Sequence, residues 1–401
     1  MRSRAATRDG HAQGLSRLQT VILAASAGLS VANIYYAQPL LDLIAGDLGI
    51  SPAAVGLIVT LTQIGYGLGL IFIVPLGDII DRRHLIVVLS LLSATALAVV
   101  ATATTATMLL MGMIVVGLLA VLVQILVAHA AALASSSQRG RIVGAVTSGV
   151  VTGILAARTV AGVVADFGGW RAVYLMSAIL MIMMVAALLS KLPRQTGNRA
   201  PETYINALVS IPRAFIGEPA LLLRGTLALL IFASFSTFWT ALVLPLSAPP
   251  FSYSHGQIGL FGLVGVAGAV AATYAGKLSD SGYGKWTTGV SLALLLASWG
   301  LIFFLPTSMP LLLAGVLLLD LAVHAVHVTS LGVIVALHPQ MSSRLIGGYM
   351  VFYSIGSAIG AVASTTAYAR LGWTGVSFLG ATFSAGALVV WMIALTRREP
   401  A

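Results

Sequence analysis

Asp320, His324 and His327 follow one another at positions i, i+4 and i+7. At 100° per residue they project at 0°, 40° and about −20°, a stripe about 60° wide along one helix. A carboxyl flanked by imidazoles suits proton handling. The same His-His-carboxylate face also suits a divalent metal, with a further ligand from another helix. Polar groups that simply satisfy one another in a packed interior are the third reading. Arg158 is the other isolated charge, set among small and apolar residues.

The chain around these groups explains why they stand out. Of 401 residues, 59% are hydrophobic and 8% charged, and the mean hydropathy is +1.02. A soluble domain carries about 25% charged residues, so this chain cannot cover a water-facing surface. Apolar runs long enough to cross a bilayer fall at roughly 18–45, 51–76, 85–103, 107–134, 142–165 and 171–190. A second set falls at 222–246, 256–275, 287–305, 309–338, 345–368 and 374–396. We number these crossings 1 to 12. The expected class is therefore an all-α integral membrane protein of twelve transmembrane helices in two pseudo-symmetric six-helix bundles. The pI near 10.2 does not signal nucleic acid, because the bases sit in short loops with no basic stripe. Cysteine is absent, which excludes disulfides and thiolate chemistry.

Charge orients the crossings. With both termini cytoplasmic, all of the 21 Lys and Arg residues except Arg158, Arg171 and Arg370 fall in inner segments, and a shift by one helix would destroy that asymmetry. Arg2, Arg4, Arg8 and Arg17 precede a first apolar run too long for a signal peptide, so it reads as a retained helix. The expected organisation is a tail at 1–17, an N-terminal bundle at 18–190 and a cytoplasmic linker at 191–221. A C-terminal bundle at 222–396 and a tail at 397–401 complete it. Within the linker a short amphipathic helix is expected around 204–215.

The two halves repeat. A shift of 203 residues places Arg141–Gly144 on Arg344–Gly347, Gly153 on Gly356, and Gly169-Trp170 on Gly372-Trp373. Constant spacing over several elements favours a parallel duplication.

Ten of the 11 acidic residues lie in tails, loops or helix ends, which leaves Asp320 as the mid-span acid. An ionisable group at mid-membrane costs about 2.5–3.5 kcal/mol, so Asp320 and Arg158 each need a partner, a wet cavity or a proton. An electrostatic couple across a central cavity answers that need, as does a structural salt bridge. Crossing 1 supplies Asn33, Tyr35, Tyr36 and Gln38, crossing 2 Gln63 and Tyr66, and crossing 4 Gln124 and His129. Crossing 7 adds Phe235 and Trp239, and crossing 11 Tyr349 and Tyr353. Aromatics with hydrogen-bonding tips suit a partly apolar organic ligand, and equally an interfacial belt.

The loops carry a resemblance. Between crossings 2 and 3 the chain reads Gly77-Asp78-Ile79-Ile80-Asp81-Arg82-Arg83-His84, and between crossings 8 and 9 Gly276-Lys277-Leu278-Ser279-Asp280. Both resemble the Gly-x-Leu-x-Asp-Arg signature of the major facilitator superfamily. The resemblance implies a cytoplasmic latch, for which Gly77, Asp78, Asp81, Arg82, Arg141, Asp280 and Arg344 are the candidates. It also implies a cavity lined by crossings 1, 4, 7 and 10. Crossing 5 resembles the Gly-x-x-x-Gly-Pro-x-x-Gly-Gly pattern of the family's antiporters, as Gly153, Ala157, Ala161 and Gly162, with Arg158 where the family has proline.

The expected function is secondary active transport: proton-coupled efflux of a small organic compound, drug-like or sugar-like, by alternating access. The alternatives are a divalent metal transporter using Asp320, His324 and His327, and a metabolite importer. No phosphate-binding Gly-x-x-x-x-Gly-Lys loop occurs. An intramembrane aspartyl protease would need a second mid-span acid, so an enzyme is not expected. A sensor built on the same fold would tolerate loss of the crossing 10 charges. Small molecule, protons and lipid bilayer are the expected partners, with no cofactor and no nucleic acid. A monomer in a bacterial inner membrane is expected, the arginine-over-lysine bias suggesting a high-GC source.

Overall fold

Hydrophobic runs in lipid must satisfy every backbone group internally, which leaves helices as the economical solution. A computed structural model describes residues 15–135, 138–191, 204–337 and 341–396, and among the described residues there is no β-strand. The N-terminal half comprises α1 (Arg17–Tyr35), α2 (Leu41–Leu48), α3 (Leu57–Phe72), α4 (Leu76–Ile79), α5 (Arg82–Ala101), α6 (Ala106–Ala120), α7 (Leu122–Leu133) and α8 (Arg139–Lys191). After α9 (Tyr204–Gly217) come α10 (Pro219–Ala241), α11 (Val243–Ser247), α12 (His255–Leu278), α13 (Gly284–Ile302), α14 (Met309–Leu337) and α15 (Ser342–Thr396). The helix expected near 204–215 is α9; residues 192–203 and both expected tails, apart from residues 15–17, lie outside the described residues.

Eight of the described helical stretches are long and apolar enough to span, and α3 and the first part of α12 are shorter apolar helices. Two of the eight, α8 and α15, each hold two crossings, which restores the expected twelve. Their bends fall at Gly169 (φ 72°) and Gly372 (φ 63°), in the left-handed region where glycine is favoured. These are the residues that the 203-residue shift superposes. The duplication extends to packing: Gly153 lies on Gly28 of α1, and its counterpart Gly356 lies on Leu229 of α10.

Local signals set the helix starts. Ser16 and Gln19 form a reciprocal capping box at α1. Asp81 caps α5, accepting from the backbone N–H of Arg83 at 2.8 Å. Pro39 breaks crossing 1 through a 3₁₀ turn, Gln38–Leu40. That break turns Gln38 inward, where it matters below.

On the basic side of the molecule, Gln19 Nε2 donates to the Lys191 carbonyl at 2.7 Å and Arg83 Nη2 to that of Leu189 at 2.7 Å. On the opposite side Arg171 pairs with Asp47. One base departs from its expected place. Arg224, grouped by sequence with the inner loops, is 1% exposed inside α10, where Nη1 donates to Thr288 Oγ1 at 3.2 Å.

Candidate functional site

The two halves meet along α3 with α15 and α8 with α12. Arg158, on α8 and 1% exposed, sits at that junction. Its Nε donates to Gln38 Oε1 at 2.8 Å, which the Pro39 break places within reach. Its Cζ stands over the ring of Trp239 at 4.0 Å, with Tyr35 at 5.1 Å and Phe235 at 5.7 Å. Stacking of this kind favours a desolvated guanidinium. Tyr35 and Gln38 come from one half, Phe235 and Trp239 from the other. Nη1 and Nη2 of Arg158 and Nε1 of Trp239 are buried without a hydrogen-bond partner.

Asp320 on α14 is wholly buried, and neither of its oxygens has a partner. The salt bridge open to Arg158 and Asp320 in sequence is therefore not formed in this conformation. What holds them near each other is a ladder of glycines on α12. A Cβ placed on Gly262 would stand 3.4 Å from Arg158 Cβ, and one on Gly265 would stand 2.9 Å from Asp320 Cγ. Gly268 meets Asp320 Cβ at 3.1 Å by the same measure. Residues three apart rise by about 4.5 Å along one face, so base and acid lie about a turn apart along one groove.

The imidazoles of the crossing 10 stripe are committed elsewhere. His324 Nδ1 donates to the Asp320 carbonyl at 2.8 Å. Because a carbonyl only accepts, the proton is on Nδ1 and Nε2 is the free position. His327 Nδ1 bonds the Tyr349 hydroxyl at 3.0 Å. Phe232 and Phe235 stand edge-on to the His327 and His324 rings. These bonds and rings divide the stripe, and among the described residues no group of three His, Asp or Glu side chains converges as metal ligands would.

Toward the basic side, aromatic side chains close over this centre. Tyr353 of α15 bonds the hydroxyl of Tyr35, lies against Phe232 at 4.1 Å between centroids, and meets Tyr66 edge-on at 6.3 Å. Gln124 Nε2 donates to Tyr66 at 3.2 Å. Beyond Gln124 opens a cavity of about 260 Å³ between the halves, reaching Gly77, Arg82, Arg344 and Gly347. Of the latch candidates, Arg82 Nε donates to the Gly77 carbonyl at 2.9 Å and Asp81 caps α5. Arg141 is exposed and Arg344 lines the cavity. The Asp78 and Asp280 side chains lie outside the described residues.

The opposite side is shut by a cluster that sequence reading passed over as loop charges. Asp166 of α8 accepts from the backbone N–H of His255 at 3.0 Å and of Gly256 at 2.9 Å, and from Ser254 Oγ at 2.8 Å. A carboxylate from one half thus caps the N-terminus of α12 in the other. His255 Nε2 lies 3.1 Å from Asp42 Oδ1, and Nδ1 lies 3.6 Å from Asp166 Oδ1. The Asp42 carboxylate beside it holds the His255 imidazole above its ordinary pKa, against partial burial. One turn further, Thr159 Oγ1 donates to the Gly259 carbonyl at 2.9 Å.

The remaining candidates serve other ends. Asn33 Oδ1 accepts from Ser177 Oγ at 2.6 Å inside the N-terminal half, with Tyr36 buried nearby in crossing 1. The Gln63 carbonyl accepts from Ser354 across the halves. His129 is buried on α7.

Twelve crossings, a duplicated half and a buried polar centre at the junction define a multi-pass carrier rather than an enzyme. Residues 22–244 and 225–401 match the model of the Major Facilitator Superfamily, and the chain belongs to that family. It is 45% identical over 390 residues, 96% of this chain and 98% of the relative, to the putative uncharacterized transporter YgaY of Escherichia coli. A probable transporter of Streptomyces coelicolor is 33% identical over 370 residues, 92% of this chain and 85% of the relative. Among solved structures, a bacterial homolog of the human lysosomal transporter Spinster, in an inward-facing and occupied conformation, is similar at a TM-score of 0.78 and 14% identity. That match covers 94% of this chain and 96% of the other. The nucleoside transporter NupG is similar at a TM-score of 0.74 and 13% identity, over 95% of this chain and 100% of the other. These two likenesses concern the fold.

Proposed function

We propose that this chain is a proton-coupled secondary transporter that exports a small organic compound by alternating access. It works as a monomer in a bacterial inner membrane with both termini cytoplasmic. One observation carries the reading: a buried base whose two outer nitrogens lack hydrogen-bond partners and a buried acid whose two oxygens lack them stand where the two halves meet. Buried charges held apart in this way are costly, and a carrier uses that cost when substrate and proton binding relieve it. The cavity on the basic side fits an inward-facing carrier whose outer mouth is held by Asp42, Asp166 and His255. Asp320 carries the proton. Tyr35, Phe232, Tyr66 and Tyr353 separate the centre from the vestibule and must part for the substrate to pass. Efflux is the direction that the small-residue pattern of crossing 5 implies by resemblance.

A thermal-shift panel of sugars, lipophilic cations and organic acids at two pH values tests the reading on purified protein. A ligand at 100 times its Kd adds about 2.7 kcal/mol of apparent stability. The expected result is a ligand whose shift depends on pH in the wild type but not in Asp320→Asn, and whose flux in proteoliposomes responds to a pH gradient. Flux indifferent to that gradient would refute proton coupling.

A further inference from the structure

The donors around Arg158 outnumber the acceptors. Nε is engaged by Gln38, while Nη1 and Nη2 stay buried and unpartnered, and the Trp239 indole N–H beside them has no acceptor either. A guanidinium presenting two N–H groups from adjacent nitrogens matches a carboxylate in a fork that no single-point acceptor reproduces. The rings around it (Tyr35, Phe235 and Trp239) offer apolar area for a hydrocarbon or aromatic body.

We propose that the central site binds an organic monocarboxylate, its carboxylate on the Nη1/Nη2 edge of Arg158 and its apolar body against Tyr35, Phe235 and Trp239, with one proton carried on Asp320. The proposal rests on the transport reading above and names its substrate class. An organic cation would have to sit beside a fixed guanidinium. A neutral sugar would leave that guanidinium uncompensated whenever Asp320 is protonated.

Charge balance then fixes the sense of coupling. The unloaded centre holds Arg158 positive and Asp320 negative, neutral in sum. A carboxylate binding to that state would leave one net negative charge in a dry interior, so a proton must join Asp320 as the anion arrives. No covalent bond forms: the carboxylate of Asp320 becomes a carboxyl. The other titratable groups facing the pair are His324 and His327 on its own helix and the Tyr35 and Tyr353 phenols beside Arg158. Proton and anion therefore travel together, and export runs when the internal acid is concentrated.

The test is calorimetric titration of the full-length protein in detergent with three phenylalkyl probes of equal length, ending in carboxylate, amide or ammonium. The carboxylate is expected to bind about tenfold tighter than either other probe. Titrations in buffers of different ionisation heat should report about one proton taken up per carboxylate bound. Arg158→Gln is expected to lose that preference, and Arg158→Lys to keep part of it. Asp320→Asn should bind the carboxylate without proton uptake. Trp239→Phe keeps the ring but loses the indole N–H, and should weaken carboxylate binding alone if Arg158 variants fail to fold. Preference for the ammonium or amide probe, equal binding by Arg158→Gln, or no saturable heat with any probe would overturn the proposal. Carboxylate binding with proton uptake but no gradient-driven flux would uphold the substrate class while the transport reading failed.

Discussion

A charge without a partner in an apolar interior is a liability unless the molecule uses it, and two stability measurements separate use from structure. If Arg158 and Asp320 formed a packing salt bridge, removing the base would cost about 3–5 kcal/mol. Because they do not touch, Arg158→Met loses a charge-assisted hydrogen bond to Gln38, about 1.5–3 kcal/mol, but also relieves two buried unpartnered nitrogens. The net change in melting is therefore expected to stay below about 3 kcal/mol while transport disappears. Melting curves and flux on the same preparation check this; a large destabilisation would mean that the pair is structural. Asp320→Asn is expected to keep substrate exchange between equal pools and to lose uphill, gradient-driven accumulation, because an amide binds no proton. Unchanged uphill transport in that variant would remove Asp320 from coupling. Both residues were legible in the sequence, since a mid-span acid and a mid-span base are rare enough to notice without knowing what they face. What they face was not legible. The i, i+4, i+7 stripe is consistent with converging ligands, but the bonds of His324 to its own helix and of His327 to Tyr349 depend on a neighbour that spacing does not identify.

At the scale of the element, α12 is the piece that sequence reading undervalued. Its glycines at 256, 259, 262, 265 and 268 recur every third residue, yet glycine is common in apolar spans and the pattern says nothing about what packs there. Only the fold shows that Gly256 faces Asp166, Gly259 and Gly262 face Arg158, and Gly265 and Gly268 face Asp320. Gly265→Ala would set a methyl 2.9 Å from Asp320 Cγ, so the carboxyl or the helix must move, at a cost of about 1–3 kcal/mol. The expected outcome is a sharp loss of flux and a changed pH dependence. Gly300→Ala on α13 is the matched control: nothing lies within 4 Å of its added Cβ, so it should leave flux intact and add up to about 1 kcal/mol of stability. Equal flux in both variants would show that α12 needs no close approach. The Gly169 and Gly372 bends were, by contrast, readable as breaks between crossings, because glycine acts through its own backbone rather than through a partner, whereas the Pro39 break lay inside a run assigned to one crossing.

For the whole molecule the question is which mouth opens, and the closure on the side opposite the basic loops, the outer one in the proposed orientation, is expected to answer to pH. Asp42 and Asp166 belong to one half and His255 to the other, so their contacts exist only while that mouth is shut. The closed state raises the His255 pKa, chiefly through the Asp42 hydrogen bond; parting the halves returns the imidazole to its ordinary value near 6.5. A group whose pKa is higher in one state favours that state at low pH. The contribution to closure is therefore complete below the ordinary pKa and fades as pH climbs through the raised one. Asp166 adds a second hold that does not need the His255 ring, since it accepts from the N-terminal N–H groups of α12. The absence of cysteine makes the motion easy to follow with a spin-labelled pair at Thr104→Cys and Thr307→Cys, one on the outer loops of each half. Alkaline pH should lengthen the distance between them in the wild type. His255→Gln should abolish that pH response. Asp166→Asn should weaken closure at every pH by roughly 1.5–3 kcal/mol, the worth of hydrogen bonds to a charged group. If the distance ignores pH in the wild type, His255 is a packing residue and the outer mouth is held by Asp166 and the Thr159–Gly259 contact alone.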